Sequence, residues 1–145
     1  MPEPPPLPDS DDLAAWNARM AGAVGQALPM RLEEVSKDRV VILMEVTPRT
    51  HQPMGILHGG VSLVLAESAA SIGANRNVPP GMMAVGQEIN ANHIRPKRDG
   101  TVRAVAVPLH VGRSSQVWAI EIRDEAGALV CVSRCTLAVV PQRSA

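Results

Sequence analysis

One run of fifteen residues, 61–75, constrains what this 145-residue chain can fold into more than any other segment does. Wound as a helix, it is rich in Ala and Leu and apolar on almost every side. Such a helix is stable in water only when other elements cover it. Residues 61–74 are too few to span a bilayer, and they include Glu67. The rest of the chain must therefore enclose this helix.

The remaining segments can form the sheet that encloses it. Four stretches rich in Val and Ile follow the helix, and the short breaks between them predict a four-stranded antiparallel meander. Two further β-type stretches precede the helix and flank a turn at 36–38, which predicts a hairpin. The six predicted strands are 30–35, 39–46, 83–93, 101–110, 116–124 and 129–140. The sequence therefore predicts an α+β fold, a curved antiparallel sheet of about six strands wrapped around one long buried helix.

The N-terminal segment predicts a tail and one short extra helix. Five of the thirteen prolines lie in the first eight residues, so residues 1–10 are expected to be a flexible, proline-rich tail. Residues 11–145 are expected to form a single domain, because a chain of this length is close to the commonest domain size. Apolar residues at helical spacing predict a helix over residues 11–25, and they are Leu13, Trp16, Met20 and Val24.

Composition excludes several classes of protein. Fourteen basic and fourteen acidic residues cancel, and Phe and Tyr are absent, so a nucleic-acid partner is not expected. The start of the chain has no basic, apolar leader, and no segment predicts a membrane span, so a cytoplasmic location is expected. Cys131 and Cys135 lie four apart on a predicted strand, roughly 13 Å, which is too far for a disulfide. The histidines and cysteines lack the spacing of a metal site, so no metal or cofactor is expected.

Glu67 is the one charged residue in the apolar helix. Burying a carboxylate is costly unless the group is paired or functional. Ser71, one turn further along the helix, lies on the same face. Two readings stay open at this point, since Glu67 could equally lie on a solvated strip of the helix.

The start of the helix offers a site for a negatively charged atom. His58 is followed by Gly59 and Gly60, and two glycines allow a ligand to approach the backbone closely. The first N–H groups of a helix lack internal partners and carry partial positive charge, which suits an anion or a developing oxyanion. A plain glycine-rich turn is the alternative reading.

The spacing between these two features has a consequence for assembly. Gly59 and Glu67 are eight residues apart, about 12 Å along a helix, so one reacting carbonyl cannot contact both in the same chain. If both act on one bond, two chains must place their helices antiparallel, as a two-fold dimer does. The sequence therefore predicts a homodimer with shared active sites.

Three segments resemble a known family. Residues 52–68, QPMGILHGGVSLVLAES, resemble the motif of hotdog-fold acyl-CoA thioesterases of the bacterial phenylacetate type. They are most similar to the group that includes 1,4-dihydroxy-2-naphthoyl-CoA and 4-hydroxybenzoyl-CoA thioesterases. Residues 86–93, GQEINANH, and residues 108–112 with 116–118, PLHVG and QVW, also resemble this group. The likeness covers about residues 30–140.

The resemblance implies roles for individual residues. Glu67 would attack the thioester or activate water, and Gly59 would supply the oxyanion N–H. Gln52 and His58 would hold the thioester end of the substrate, and Ser71 would orient the water or the acyl ring. The implied coenzyme A contacts are Gly86, His93, Ile94, Arg95, Pro96, His110, Val111, Gly112, Arg113, Ser114 and Ser115. The implied substrate is an acyl-CoA, with aryl- or hydroxyaryl-CoA preferred over straight-chain acyl-CoA, and the implied assembly is a dimer of dimers, a homotetramer.

The sequence departs from this group at two places. Met54 stands where the naphthoyl-type relatives have Phe, and residues 112–115, GRSS, differ from their Gly-Ser-Arg-His. Lys97 and Arg98 beside Arg95 could hold coenzyme A phosphates or could simply form a solvated turn. The alternative function is a non-catalytic acyl-CoA-binding or scaffold protein on the same fold. A hotdog dehydratase is disfavoured because residues 50–58 contain no Phe.

Overall fold

A computed structural model describes residues 7–8, 10–22 and 24–142. Residues 1–6 and 9, most of the predicted tail, lie outside the described residues. The helices are α1 (Leu13–Met20), α2 (Val24–Ala27) and α3 (Gly59–Asn75), with one 3-10 turn at Pro48–Thr50. The strands are β1 (Met30–Val35), β2 (Val40–Glu45), β3 (Met82–His93), β4 (Thr101–Val111), β5 (Ser115–Asp124) and β6 (Leu129–Pro141).

The strands form one antiparallel sheet in the order β1-β2-β4-β5-β6-β3, and this sheet wraps around α3. Alternate residues of the central strands point at α3 and are fully buried, as Ala104, Ile120 and Ile122 are. On α3 itself Leu65, Ala66 and Ala69 are inaccessible to solvent. The sheet thus covers one face of the helix, on which eight of its seventeen residues are buried, and leaves a second face, with Glu67 and Ser71, half-buried. The architecture is the hotdog fold, and the predicted fold class is confirmed.

Trp118 on β5 fixes where α3 sits on the sheet. A Cβ atom added to Gly73 would lie only 2.6 Å from Cζ3 of the Trp118 ring. The indole N–H donates to Gln116 Oε1 at 3.1 Å, and Gln116 Nε2 donates to the Ala74 carbonyl at 3.1 Å. Gln116 thus satisfies the buried indole N–H and is itself bonded to the end of α3.

The predicted four-stranded meander is wrong in one respect. Strands β4, β5 and β6 are neighbours in sequence order, but β3 lies at the far edge beside β6, and β4 pairs with β2. Three inter-strand spacings separate β3 from β4, about 14 Å, and the seven linking residues 94–100 can reach about 23 Å. A short break therefore did not require the two strands to be adjacent.

The predicted helix over residues 11–25 is also wrong in extent. It is divided into α1 and α2, and Val24 is 47% exposed instead of lying on the apolar face with Trp16, which is 2% exposed. Gly22 and Gly25 fall at the division, and glycine costs a helix interior up to about 1 kcal/mol relative to Ala. The chain therefore turns where the helix is weakest.

Candidate active site

The start of α3 presents an unpaired backbone N–H. His58 is the N-cap, and its Nδ1 accepts a hydrogen bond from the Gly60 N–H at 2.9 Å. The N–H groups of Val61 and Ser62 donate to the His58 carbonyl. Among the described residues, the Gly59 N–H has no acceptor. This donor lies at the positive end of the seventeen-residue helix α3 and is available to an anionic atom.

A cleft of about 250 Å³ opens beside this N–H. One wall comes from the loop before α3, and the other comes from the end of β3 and the link that follows it. His93 lies at the junction, because its Nε2 would be 2.6 Å from a Cβ added to Gly59. The residues that line the cleft are Gln52, Ile56, Leu57, Gly59, Ser62, His93, Ile94, Arg95, Pro96 and Val130.

Six of these lining residues are sequence-predicted site residues, and the other four are not. Ser62 is buried and lies one helical turn after Gly59, a spacing that could have indicated it. Ile56 and Leu57 belong to the segment that resembles the family motif, but they are apolar and gave no chemical signal. Val130 reaches the cleft because its carbonyl accepts hydrogen bonds from the N–H groups of Ile94 and Arg95.

Two hydrogen bonds join the two walls. The Leu57 N–H donates to the Lys97 carbonyl at 2.7 Å, and His51 Nε2 donates to the Arg98 carbonyl at 2.7 Å. Within the loop before α3, the His58 N–H donates to the Thr50 carbonyl at 2.9 Å. The cleft is therefore built from two segments that hold each other in place next to the helix start.

Glu67 lies in a second cluster, halfway along α3. Its side chain is half-buried, and its carboxylate lies directly against the α-carbon of Gly86 on β3. A Cβ at Gly86 would meet Oε1 of Glu67 and would lie 3.3 Å from its Cδ. A β-bulge between Gly86 and Glu88 shifts the β3–β6 register at this point. Ser71, one turn further along α3, is half-buried.

The two clusters are separate within one chain. Strand β3 runs alongside α3, so that His93 contacts the helix start and Gly86 contacts its middle. Along the helix the Gly59 and Glu67 positions are about 12 Å apart. The described chain therefore gathers Gln52, Gly59 and the 93–96 segment at one end, and it leaves Glu67, Ser71 and Gly86 at the other.

The β4–β5 turn lies near the Glu67 cluster. Ser115 pairs with Ala138, and Ala138 pairs with Val85, the residue before Gly86. The Gly112 N–H donates to the Ser115 carbonyl at 2.9 Å, and the ring of His110 lies over Gly112. Val111, Arg113 and Ser114 are exposed. This turn is thus two strands away from Gly86, at the opposite end of the sheet from the cleft.

Charged and ionisable side chains around the clusters differ in what they can bind. Lys97 is committed to an ion pair with Glu125, whereas Arg95 and Arg98 are exposed.

Burial, assisted by the charges of Glu67 and Glu88, raises the pKa of Cys135 to about 12. Burial also raises the pKa of Cys131, and both thiols are free. Both thiols are therefore poor nucleophiles at neutral pH.

Three further features bear on the choice of site. A larger hollow of about 410 Å³ lies on the outer face of the sheet, and its side chains Glu33 and Arg103 are paired with each other. In the described part of the chain, no three His, Cys, Asp or Glu side chains converge as metal ligands would. None of the described helices has the length and apolarity to cross a membrane.

Comparison with known proteins points to one family. A sequence profile of the thioesterase superfamily matches residues 54–131. The chain is 49% identical over 118 residues to a 1,4-dihydroxy-2-naphthoyl-CoA hydrolase of Listeria monocytogenes, covering 81% of this chain and 96% of that protein. It is 47% identical over 128 residues to the hydrolase of the same name from Escherichia coli, covering 88% and 94%. The structure of the thioesterase HI1161 from Haemophilus influenzae matches with a TM-score of 0.87 and 41% identity, covering 91% of this chain and 92% of that one.

Proposed function

Because this chain belongs to the thioesterase superfamily and is a thioester hydrolase, we propose that it hydrolyses acyl-CoA thioesters and prefers aryl and hydroxyaryl acyl groups. The observation that carries this proposal is that one helix holds two reactive groups. The Gly59 N–H at the start of α3 has no acceptor among the described residues, and the carboxylate of Glu67, further along α3, is half-buried. The named activity of the two hydrolase relatives supports the aryl preference.

The chemistry follows from these groups. The thioester carbonyl oxygen accepts a hydrogen bond from the Gly59 N–H and becomes an oxyanion when the carbonyl carbon is attacked. One preorganised donor of this kind typically contributes about 3–4 kcal/mol. Glu67 either attacks the carbon or takes a proton from the attacking water, and the C–S bond then breaks. The balance is one thioester and one water converted to one carboxylic acid and one CoA thiol.

The other site residues bind and orient the substrate. Gln52 and His58 hold the thioester end near Gly59, and Ser71 orients the water or the acyl ring. The coenzyme A arm leaves along the 93–96 wall and reaches the Gly86 and 110–115 segments of the neighbouring chain. The exposed guanidinium groups of Arg95 and Arg113 support this path, because they can pair with phosphate oxygens.

The active enzyme is a homodimer that shares two sites between its chains. Strand β3 is twelve residues long, and among the described residues it pairs with β6 on one side only, so its other edge offers unpaired backbone groups to a second copy. From Val85 to His93 it is exposed except at Ile89 and Ala91. Antiparallel pairing of two β3 edges would set the two α3 helices side by side in opposite directions. Gly59 of each chain would then approach Glu67 of the other.

Two dimers associate into a homotetramer through the outer face and end of β4. Three large apolar side chains there are unusually exposed, and they are Val107 at 37%, Leu109 at 57% and Val111 at 47%. Exposed apolar patches of this kind mark association sites. Light scattering should give four times the chain mass, and a mass of one chain at active concentrations would contradict both levels of assembly.

The enzyme works in the cytoplasm. The two free, buried thiols support this proposal, because a reducing compartment preserves them. Fractionation of the cells that make the protein should recover it with soluble cytoplasmic markers, and recovery from an oxidising compartment would contradict it.

The role of Glu67 is tested by release of free thiol from acyl-CoA. Glu67→Ala should lower kcat by a factor of about 100 or more while the protein remains folded. Glu45→Gln is the matched control, because Glu45 is an exposed carboxylate with no hydrogen-bond partner among the described side chains. Its activity should equal that of the wild type. Turnover by Glu67→Ala within about threefold of the wild type would exclude the role and would favour a non-catalytic acyl-CoA-binding protein.

The acyl preference is tested by kcat/KM under one condition for four substrates. Benzoyl-, hydroxybenzoyl- and dihydroxynaphthoyl-CoA should exceed hexanoyl-CoA. The hydroxylated substrates should lead, because the half-buried Ser71 hydroxyl can hydrogen-bond a ring substituent, and leaving such a group unpaired in a closed site costs about 1–3 kcal/mol. Met54 is 72% exposed and flexible, so straight chains should still be accepted slowly. A tenfold lead for hexanoyl-CoA would overturn the aryl preference and leave the thioesterase assignment intact.

A further inference from the structure

Glu125, a residue outside the proposed site, is connected to the cleft through the 94–100 link. It lies at the turn between β5 and β6, and its side chain is 47% exposed. Its carboxylate accepts hydrogen bonds from Lys97 Nζ and from the Thr101 N–H at the start of β4. These two donors, Lys97 first, lower the pKa of Glu125 to about 2. The carboxylate is therefore ionised at any pH near neutrality.

Gly100 has no side chain in the space that this carboxylate occupies. Gly100 has a positive φ of 76°, and an added Cβ would collide with Oε1 of Glu125 and lie 3.1 Å from its Cδ. The Gly100 carbonyl accepts from the Val46 N–H at 2.8 Å. The carboxylate thus fills a position that the chain has left open for it.

Lys97 connects the Glu125 carboxylate to the wall of the cleft. Its side chain is only 15% exposed, and its carbonyl accepts the 2.7 Å hydrogen bond from Leu57, the residue before His58. Arg95 and Pro96, just before Lys97, line the cleft. The segment that forms one wall is therefore held between the Glu125 turn on one side and the loop that leads into α3 on the other.

We propose that Glu125 is a positioning residue for substrate binding, which holds Lys97 and thereby sets the Arg95–Pro96 wall at the correct distance from the start of α3. The inference rests on the proposed function for the identity of the ligand, because coenzyme A is the ligand proposed to lie along this wall. Glu125 touches neither the substrate nor the reacting atoms. Its loss should therefore affect binding of the arm and leave the chemical step unchanged.

The first test measures binding of free coenzyme A by calorimetry, which does not depend on turnover. Glu125→Gln keeps an oxygen that can accept from the Thr101 N–H but loses the charge that pairs with Lys97. Its Kd should rise roughly two- to fivefold, the range expected from loss of one partly exposed ion pair. The control is Glu121→Gln, which breaks another exposed ion pair on β5, with Arg123, and should bind like the wild type. Glu125→Asp keeps the charge, so its Kd for coenzyme A should lie between those of Glu125→Gln and the wild type.

The second test compares two substrates with the same acyl group. With acyl-CoA, Glu125→Gln should raise KM by the same factor and leave kcat within about twofold. With the N-acetylcysteamine thioester, which lacks the nucleotide arm, both constants should match the wild type. A merely structural loss would affect both substrates and would also lower the melting temperature.

The outcomes separate this inference from the proposed function. Unchanged coenzyme A affinity in Glu125→Gln, or equal losses in Glu121→Gln, would overturn the inference while the hydrolase activity stood. Coenzyme A binding that depends on Glu125 without thioester turnover by the wild type would overturn the proposed function and keep the inference. Absence of coenzyme A binding by the wild type would overturn both.

Discussion

At the scale of single residues, two glycines define the proposed site by the side chains that they lack. Gly59 gives access to its own N–H and leaves space that the His93 ring occupies. Gly86 leaves space for the carboxylate of Glu67 beside a β-bulge. At both positions, the absence of a side chain makes room for a functional group from another element.

Gly86→Ala should reduce kcat by roughly 10- to 100-fold in a folded protein. The new methyl group would displace the Glu67 carboxylate, and a displacement of about 1 Å at a reacting group can cost a factor of 100. The measurement is thiol release at saturating acyl-CoA, with circular dichroism to verify folding. Gly22→Ala is the matched control, because a Cβ there meets only the Arg19 carbonyl at 3.6 Å. Equal kcat values for the two variants would contradict this role of Gly86.

Sequence identified the polar members of the site better than the residues that support them. Gln52, Gly59 and Glu67 could be named because they carry chemistry at recognisable spacings. Val130 could not, because it reaches the 94–101 segment only through the position of β3 beside β6, which spacing along the chain does not determine. Glu125 reaches the same segment through the β4–β5 pair, in which Asp124 lies opposite Val102, but a glutamate in a turn gave no chemical signal.

At the scale of elements, the close contact between Gly73 and the Trp118 ring fixes the position of α3 on β5. Ala is a better helix former than Gly by about 1 kcal/mol, so Gly73→Ala would stabilise an isolated helix. Here its methyl group would collide with the fully buried Trp118 ring, and overpacking of this kind typically costs about 1–3 kcal/mol. The collision involves a ring that is itself held by Gln116, so we expect the cost to exceed the gain.

Gly73→Ala should therefore lower the free energy of unfolding, measured in urea. The same substitution in a Trp118→Leu background should cost less, because the ring that it strikes is gone. A stabilised Gly73→Ala protein, or equal effects in the two backgrounds, would show that the helix is not fixed by this contact.

The sequence predicted the bounds of the strands more accurately than which strands pair with each other. The predicted strand ends lie within one residue of the observed ends, because alternation and turn residues are local signals. The predicted start of α3 at Val61 was two residues late, since Gly59 and Gly60 are poor helix formers that His58 caps into the helix. The pairing of β3 is non-local and was predicted wrongly.

At the scale of the whole molecule, the proposed active site needs residues from two chains. The helix start and the Glu67 cluster are about 12 Å apart within a chain, and in the proposed dimer a second chain pairs with the edge of β3 and supplies the other half. A shared site has the consequence that two different inactive chains can restore one another's activity.

The most direct measurement is activity of mixed dimers that carry Glu67→Ala in one chain and Gly59→Pro in the other. Proline is tolerated at the first helical position and removes the N–H. Each variant alone should retain about 1% of wild-type activity or less. Since random mixing makes half of the dimers mixed, with one intact site each, co-refolded chains should recover about a quarter of wild-type activity. Gln52→Ala should replace Gly59→Pro if the latter fails to fold. Activity of the mixture no higher than the average of the two separate variants would contradict the shared site.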